Sequence, residues 1–356
     1  MAPANDTVPL VLSATLMAYS DGPGTPADSP YSPLLTGLRT GFIVLTALVI
    51  VGGNAFSLTV IRVVDSPRFP PSSKVFLSYV ILSDLVYGVF SMIFIAPAAL
   101  NHWPYGQFLC EASHVVENWI CACCVNAAVL VTIDRLLTVL YPLRHATMIP
   151  GKWALIIVTA ASVIALVLAV SLLTGDVEVA YNNAAVMCLI KWSIGTTPYL
   201  IRLVVLGAYT AFIPAGILIG GYAKLYLIAR QHACRRAQLQ RGAVRASSSR
   251  RKILDGPAKG LRALKMCSLI ASTFCVAWTP YIAVSFRNYA VKSEAPPLVD
   301  FLVNWLCICN SWWDVIIYFL MAKEFRRTAL KVVQNCWLKN KPNYSNGLRV
   351  SSVAES

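Results

Sequence analysis

The stretch Cys110–Leu143, CEASHVVENWICACCVNAAVLVTIDRLLTVLYPL, decides how the chain is built. It is a long apolar run with a carboxylate, Glu117, near one end and an Asp134-Arg135 pair near the other. At about 1.5 Å of rise per residue, roughly two dozen helical residues cross a hydrocarbon core about 30 Å thick, so the run is a membrane span. A charge inside such a helix costs about 3 kcal/mol or more, which makes Glu117 a candidate for function. The alternative, a helix that starts later and leaves Glu117 among lipid headgroups, stays open at this point. Cys110 precedes Glu117 by about two helical turns, which sets both on one face.

The whole chain has the same character. Of its 356 residues 57% are hydrophobic and only 13% charged, and the mean hydropathy is +0.63. So little charge does not coat a soluble protein of this size, and the composition indicates an integral membrane protein. Seven long apolar stretches occur, Leu38–Val63, Lys74–Leu100, Cys110–Leu140, Trp153–Leu173, Tyr199–Ile228, Leu261–Phe286 and Leu298–Met321. Their connections are mostly short, which makes consecutive helices antiparallel neighbours in one bundle. The expected fold class is therefore an all-α membrane protein, a seven-transmembrane helix bundle with a short amphipathic helix at the cytoplasmic surface. That last helix is read from Lys323–Trp337, KEFRRTALKVVQNCW, with Phe325, Leu330, Val333 and Trp337 toward lipid and basic residues toward headgroups.

The net charge of +14 is informative through its location. Between Arg230 and Arg262 ten Lys/Arg face the single Asp255, whereas the first 38 residues hold Asp6, Asp21 and Asp28 and no base. The positive-inside bias then places the amino terminus outside and the carboxyl terminus in the cytoplasm, as a multi-pass protein of the plasma membrane. The place of the basic run, a short loop between spans, argues against nucleic-acid binding as its purpose. Residues 1–36 read as a disordered extracellular terminus, 37–322 as the transmembrane domain, 323–337 as the surface helix and 338–356 as a disordered cytoplasmic tail. No convincing secretory signal precedes the first span. Asn5-Asp6-Thr7 is a glycosylation acceptor on the outer side.

The eleven cysteines fit this map. Cys121, Cys123, Cys124, Cys267, Cys275, Cys307 and Cys309 fall inside spans, and Cys234 and Cys336 on the cytoplasmic side, where thiols stay reduced. Only Cys110 and Cys188 remain at the oxidising face, and a disulfide between them is expected. Cys336, beside the surface helix, is a candidate for palmitoylation, with a free thiol as the other reading.

Taken together, the motifs resemble those of the rhodopsin-like (class A) G-protein-coupled receptors over about Gly37 to Trp337. The resemblance rests on Gly53-Asn54, Leu82-Ser83-Asp84-Leu85, Trp103-Pro104-Tyr105-Gly106 ahead of Cys110, and Asp134-Arg135 followed by Tyr141-Pro142. It continues with Pro214 and Tyr222 in the fifth span and Phe274, Trp278-Thr279-Pro280-Tyr281 in the sixth. Within the family the chain is most similar to the biogenic-amine receptors, through Trp305 and Asn310-Ser311 in the seventh span. Glu117 stands where those receptors carry an aspartate that binds the ligand ammonium. A hydrogen-bonded or protonated glutamate is the competing reading.

The resemblance implies a ligand pocket walled by Glu117, Asn118, Cys121, Leu206, Gly207, Thr210, Trp278, Tyr281, Ile282, Asn304, Trp305 and Ile308, mostly apolar with few polar anchors. Tyr281 and Trp305 would meet a cation through their π faces. Thr210 alone on the fifth span argues against a catechol, whose hydroxyls would lack partners. Asp84, Asn310, Ser311 and Asp314 resemble the family's sodium site, with one acid protonated and bonded to the other as the alternative. No other cofactor is expected. Asp134 and Arg135 would form the resting switch that opens toward a G protein beside Tyr222 and Tyr318.

Four departures stand out against the family pattern. Leu136 replaces the usual aromatic after Arg135, and Val315 stands where the seventh span usually has proline. Ile308 replaces a pocket tyrosine, and the only tryptophan of the fourth span, Trp153, lies near its start instead of mid-span. The function implied is a receptor coupling a small extracellular ligand, in one version a cationic amine, to heterotrimeric G proteins, with arrestin and membrane lipid as further partners. No catalytic constellation is present, so an enzyme is not expected. The rivals are an orphan, constitutive or non-signalling receptor acting as scaffold or dimer partner, and a transporter, against which the absence of internal repeats argues. The seventh span has no lysine for a retinal Schiff base.

Overall fold

The computed structural model describes residues 31–63, 70–141, 144–171, 178–190, 204–205, 207–241, 269, 272–288, 290–291, 293–321 and 323–339. Helix α1 (Pro33–Val63) opens on a proline, whose fixed φ and missing N–H suit a first helical turn. Helix α2 (Pro71–Ser91) opens in the same way after Pro70. It passes through a 3-10 turn at Met92–Phe94 into α3 (Ile95–Leu100). Pro97 explains the break, since it offers no N–H to the carbonyl four residues back and its ring crowds that carbonyl. The carbonyl it frees, on Ile93, accepts a hydrogen bond from the Tyr105 hydroxyl at 3.3 Å. Asn101 then ends the span in the left-handed region at φ 56°, a stop that asparagine tolerates.

Helix α4 (Gly106–Leu140) carries Glu117 and the Asp134-Arg135 pair, and its first residue sits at φ 78°, open to glycine without strain. Next come the short α5 (His145–Met148) and α6 (Gly151–Ser171). A π-helical turn at Ala208–Phe212 leads into α7 (Ile213–Arg241). Helix α8 covers 272–288, followed by α9 (Pro297–Met321) and α10 (Lys323–Lys339). Among the described residues five segments, Pro33–Val63, Pro71–Leu100, Gly106–Leu140, Gly151–Ser171 and Ala208–Ile228, are long and apolar enough to cross a membrane. With α8 and α9 they make the seven-helix bundle expected from the sequence. The first helix starts at Pro33, earlier than the expected Gly37, and the last runs to Lys339, beyond Trp337.

Helix α4 is the hub, packed against α2, α6 and α7, while α1 packs against α2, α9 and α10. The α1–α2 approach is close because position 88 has no side chain: a Cβ there would lie 2.6 Å from Ile50 Cγ2. Gly53 plays the same part toward α9, where its Cβ would meet Val315 Cγ2 at 3.1 Å. Large apolar side chains on the outer face of α6, among them Leu155, Ile156, Val163 and Val167, are exposed, as a lipid-facing helix requires.

One expectation is corrected. Phe325 does not face lipid: it is 2% exposed, lies against Phe319 with ring centroids 6.2 Å apart, and belongs to the same core as Ile317 and Ala329. In the first turn of α10, directly after α9, the i and i+4 positions 325 and 329 face the bundle. Leu330 and Val333, on the other face, are exposed as expected.

Strands β1 (Val179–Asn182) and β2 (Met187–Ile190) add an antiparallel hairpin over one end of the bundle, with Tyr181 opposite Cys188. Asn182 Oδ1 accepts from the Ala185 N–H at 3.0 Å and shapes the turn. Val186 sits in the turn at φ 61°, a position β-branched residues rarely adopt, and is fully buried together with Ala185.

Candidate functional site

The hairpin is fastened on every side. Cys188 is disulfide-bonded to Cys110 at the head of α4, with Cα atoms 5.4 Å apart. One turn further along α4, His114 Nδ1 lies 3.0 Å from the Cys188 carbonyl oxygen, and Gln107 Nε2 donates to the Val179 carbonyl at 2.7 Å. The Tyr181 hydroxyl donates to the Pro97 carbonyl at 3.2 Å. From α9, Trp305 Nε1 donates to the Ala185 carbonyl at 2.9 Å, and Asp300 Oδ2 accepts from Asn182 Nδ2 at 3.2 Å. From α1, the Arg39 guanidinium donates to the carbonyls of Asn183 and Ala184.

Trp305 and Ile308 therefore lie in a closed core with Phe94, Phe301, Val186 and Met187, both at 0% exposure. Phe301 stacks on Trp305 with centroids 5.9 Å apart, and Phe94 meets it edge-on at 6.2 Å. Below this layer Glu117 projects from α4 within electrostatic reach of Tyr87, Cys121, Tyr281 and Cys307. Among the described residues it makes no hydrogen bond or ion pair. Cys121, Tyr281 and Ile282 pack on the cluster of Val125, Leu218, Phe274, Ala277 and Trp278. Trp278 stacks on Phe274 at 5.7 Å and meets Tyr281 edge-on at 6.1 Å.

Two amides expected in the wall are committed locally: Asn118 Nδ2 donates to the His114 carbonyl at 2.8 Å, and Asn304 Nδ2 to the Asp300 carbonyl at 2.8 Å. Gly207 and Thr210 flank and enter the π turn, which widens the helix there. Leu206 lies outside the described residues.

Deeper in the bundle, Asp84 and Asp314 are both buried in apolar helices. Ser311 and Cys124 lie close to Asp84, and Asn54 Nδ2 bridges α1 to α9 by donating to the Ser311 carbonyl at 3.2 Å. Among the described residues, the acceptors Asn54 Oδ1, Asp84 Oδ2, Asn310 Oδ1 and Asp314 Oδ1 are buried here without a hydrogen-bond donor. Hard oxygen acceptors left over in this way suit a small cation or ordered water.

At the opposite end, Asp134 is 1% exposed and holds three partners. Arg135 Nη2 lies 3.4 Å from its Oδ2, the Ser73 hydroxyl donates to the same oxygen at 2.7 Å, and His145 Nε2 lies 2.9 Å from Oδ1. Sequence reasoning found the pair with Arg135 and missed the other two. Nothing in the spacing announces Ser73, while His145 opens the short α5, whose approach to Asp134 cannot be drawn from sequence. The side chains of Tyr222, Tyr318 and Cys336, and all of Asn5, lie outside the described residues.

The missing mid-span tryptophan also finds its explanation. Tyr79 of α2 reaches α6 and its hydroxyl pairs with the Ser162 hydroxyl at 2.9 Å, while Trp119 Nε1 donates to the Ser162 carbonyl at 3.0 Å. Rings from α2 and α4 thus fill space beside a small residue on α6.

Seven spans, a hairpin cross-linked to the third, buried acids along the axis and a charged pair at the far end are features held in common with one family. Residues 53–318 match the family model described as 7 transmembrane receptor (rhodopsin family). The chain belongs to that family: it is a multi-pass membrane protein and a class A G-protein-coupled receptor, not an enzyme. Among its relatives is 5-hydroxytryptamine receptor 6 of Mus musculus, 28% identical across 86% of this chain and 72% of that protein. Trace amine-associated receptor 7f of Mus musculus is 26% identical across 89% of this chain and 88% of its own length. Squid rhodopsin superposes with a TM-score of 0.74 over 87% of this chain and 88% of that one, at 15% identity, and shares the fold.

Proposed function

We propose that the receptor binds a small extracellular ligand bearing an ammonium group and passes the event to heterotrimeric G proteins, from a plasma membrane with the hairpin end outside. The observation that carries this reading is Glu117, a carboxylate inside the bundle with no hydrogen-bond or ion-pair partner among the described residues, within electrostatic reach of Tyr87 and Tyr281. In a low-dielectric site a cation is the natural complement of such a group, and aromatic faces add to the attraction. The relatives whose names refer to 5-hydroxytryptamine and trace amines support the same class of ligand.

Asp84, Asn310, Ser311 and Asp314, with Asn54, would hold a sodium ion that offsets the desolvation of the two acids. Asp134 and Arg135, with Tyr222 and Tyr318, would form the G-protein face, and arrestin and anionic lipid would meet the same end. Glycosylation at Asn5 and palmitoylation at Cys336 belong to this picture. A second reading, a receptor that scaffolds without signalling, is favoured by the extra hold of Ser73 and His145 on Asp134 and by Leu136 and Val315.

A screen of biogenic amines for G-protein activation in cells tests the main reading, with Arg135→Ala as control. A response to an amine, lost in Arg135→Ala at unchanged surface expression, supports signalling. Glu117→Gln is then expected to weaken that amine at least about tenfold, roughly 1.4 kcal/mol. Unchanged affinity would remove Glu117 as the anchor, and activation insensitive to Arg135→Ala would remove the switch.

A further inference from the structure

The flank of α1 carries a groove that the receptor reading leaves unused. It lies between α1 and α3 near the hairpin end, holds about 700 Å³ and is open along one side. Gly37 and Gly41, one turn apart, line it with bare backbone, and a Cβ at either would meet nothing within 4 Å. Val44, Leu45 and Leu48 continue the stripe along α1, and Ala99 lines it from α3. Leu45 and Leu48 are 62% and 58% exposed, so this side of α1 faces lipid. At the hairpin end the lining turns polar. Asn101 Nδ2 donates to Thr36 Oγ1 at 3.3 Å, and the Thr40 hydroxyl donates to the Thr36 carbonyl at 2.8 Å. Asn101 Oδ1 is buried and has no donor among the described residues. Among those residues no charged side chain lines the groove.

A groove on the lipid face of a span is covered by membrane components, and its shape selects which. From Thr36 to Leu48 the helix rises about 18 Å, close to the roughly 15 Å half-thickness of a hydrocarbon core, so the occupant belongs to one leaflet with its head at the hairpin end. The head is uncharged, since a phosphate or carboxylate would lie desolvated on this rim with no counter-charge. It carries an O–H, because Asn101 Oδ1 is an acceptor that lacks a donor. The backbone bared at Gly37 and Gly41 is a flat, rigid surface. A fused-ring body packs against it with little loss of conformational freedom, whereas an acyl chain gives up many rotamers to do so.

We infer that the groove between α1 and α3 binds a sterol of the leaflet on the hairpin side, with its rings on the Gly37 and Gly41 face and its hydroxyl donating to Asn101 Oδ1 after a turn of the carboxamide. The inference does not depend on the amine reading. The groove lies on the outside of the bundle and shares no residue with the surroundings of Glu117.

The test places the full chain in phosphatidylcholine nanodiscs with a cholesterol analogue that carries a photoreactive diazirine in its rings, and maps the cross-linked peptides by mass spectrometry. The expected result is labelling within residues 36–48 that unlabelled cholesterol displaces. Its epimer at the hydroxyl-bearing carbon should displace about fivefold less well, because the misdirected hydroxyl forfeits one hydrogen bond. Gly41→Leu fills the groove from an exposed position and should abolish the labelling. Asn101→Gly keeps the left-handed turn, removes the acceptor and should erase the preference between the epimers. Should Gly41→Leu fail to fold, the comparison of epimers on the native chain decides. The site is refuted by labelling spread evenly over the lipid-facing helices, by labelling that Gly41→Leu leaves unchanged, or by equal displacement by both epimers. Two other occupants would also overturn the inference. A disulfide-linked dimer formed by Gly41→Cys and not by the native chain gives the groove to a second copy, and labelling that requires removal of residues 1–29 gives it to the amino-terminal segment.

Discussion

At the scale of single residues, the absence of a side chain at position 88 sets how near α1 and α2 lie. A Cβ there would meet Ile50 Cγ2 at 2.6 Å and Ile50 Cβ at 2.9 Å, distances that no relaxed rotamer produces, and both atoms belong to a packed helix. Gly88→Ala is therefore expected to destabilise the receptor by about 1–3 kcal/mol, read as a lowered unfolding midpoint in detergent. Ile50→Ala opens the space, so the double variant should lose less than the two single losses added. Simple additivity would show that the helices accommodate the methyl elsewhere. Val315 fits the same account: the sequence displayed a missing proline, while its contact with Gly53 became visible only in three dimensions.

At the scale of elements, the buried carboxylate of Asp134 ties α4 to α2 through Ser73 and to α5 through His145. A hydrogen bond to a charged group contributes about 1.5–3 kcal/mol, so Ser73→Ala should lower stability by that amount, measured as a shifted unfolding midpoint at unchanged expression. An unshifted midpoint would mean that Arg135 or water takes over the oxygen. The spans themselves were legible because a bilayer demands long apolar runs that any reader of hydropathy can find. The break at Pro97 was visible as a residue and unread as a break, since its effect depends on Tyr105 reaching the Ile93 carbonyl. Ser162 was legible only as a missing tryptophan, because Tyr79 and Trp119, which fill the space, lie on other helices.

At the scale of the whole molecule, the disulfide was legible from the sidedness of the chain, which left two cysteines at the oxidising face. The hairpin between them was not, because its four-residue strands carry no period that distinguishes them from a loop. Arg39 escaped notice because the carbonyls it holds lie more than 140 residues away. Trp305 was legible as a residue type, while its hydrogen bond to the Ala185 carbonyl in the hairpin turn was not.

That contact between the indole and the Ala185 carbonyl bears on time as well as on shape. On the proposed reading a guest held at Glu117 would lie under the hairpin, so both its arrival and its departure would wait for the cover to lift, and its dwell would be long at any given affinity. Trp305→Phe removes one bond of about 1 kcal/mol from the closed form, and association and dissociation should each quicken about fivefold while the equilibrium constant stays nearly the same. Stopped-flow traces with a labelled amine would show it, and unaltered rates would mean that guests reach the chamber by another door.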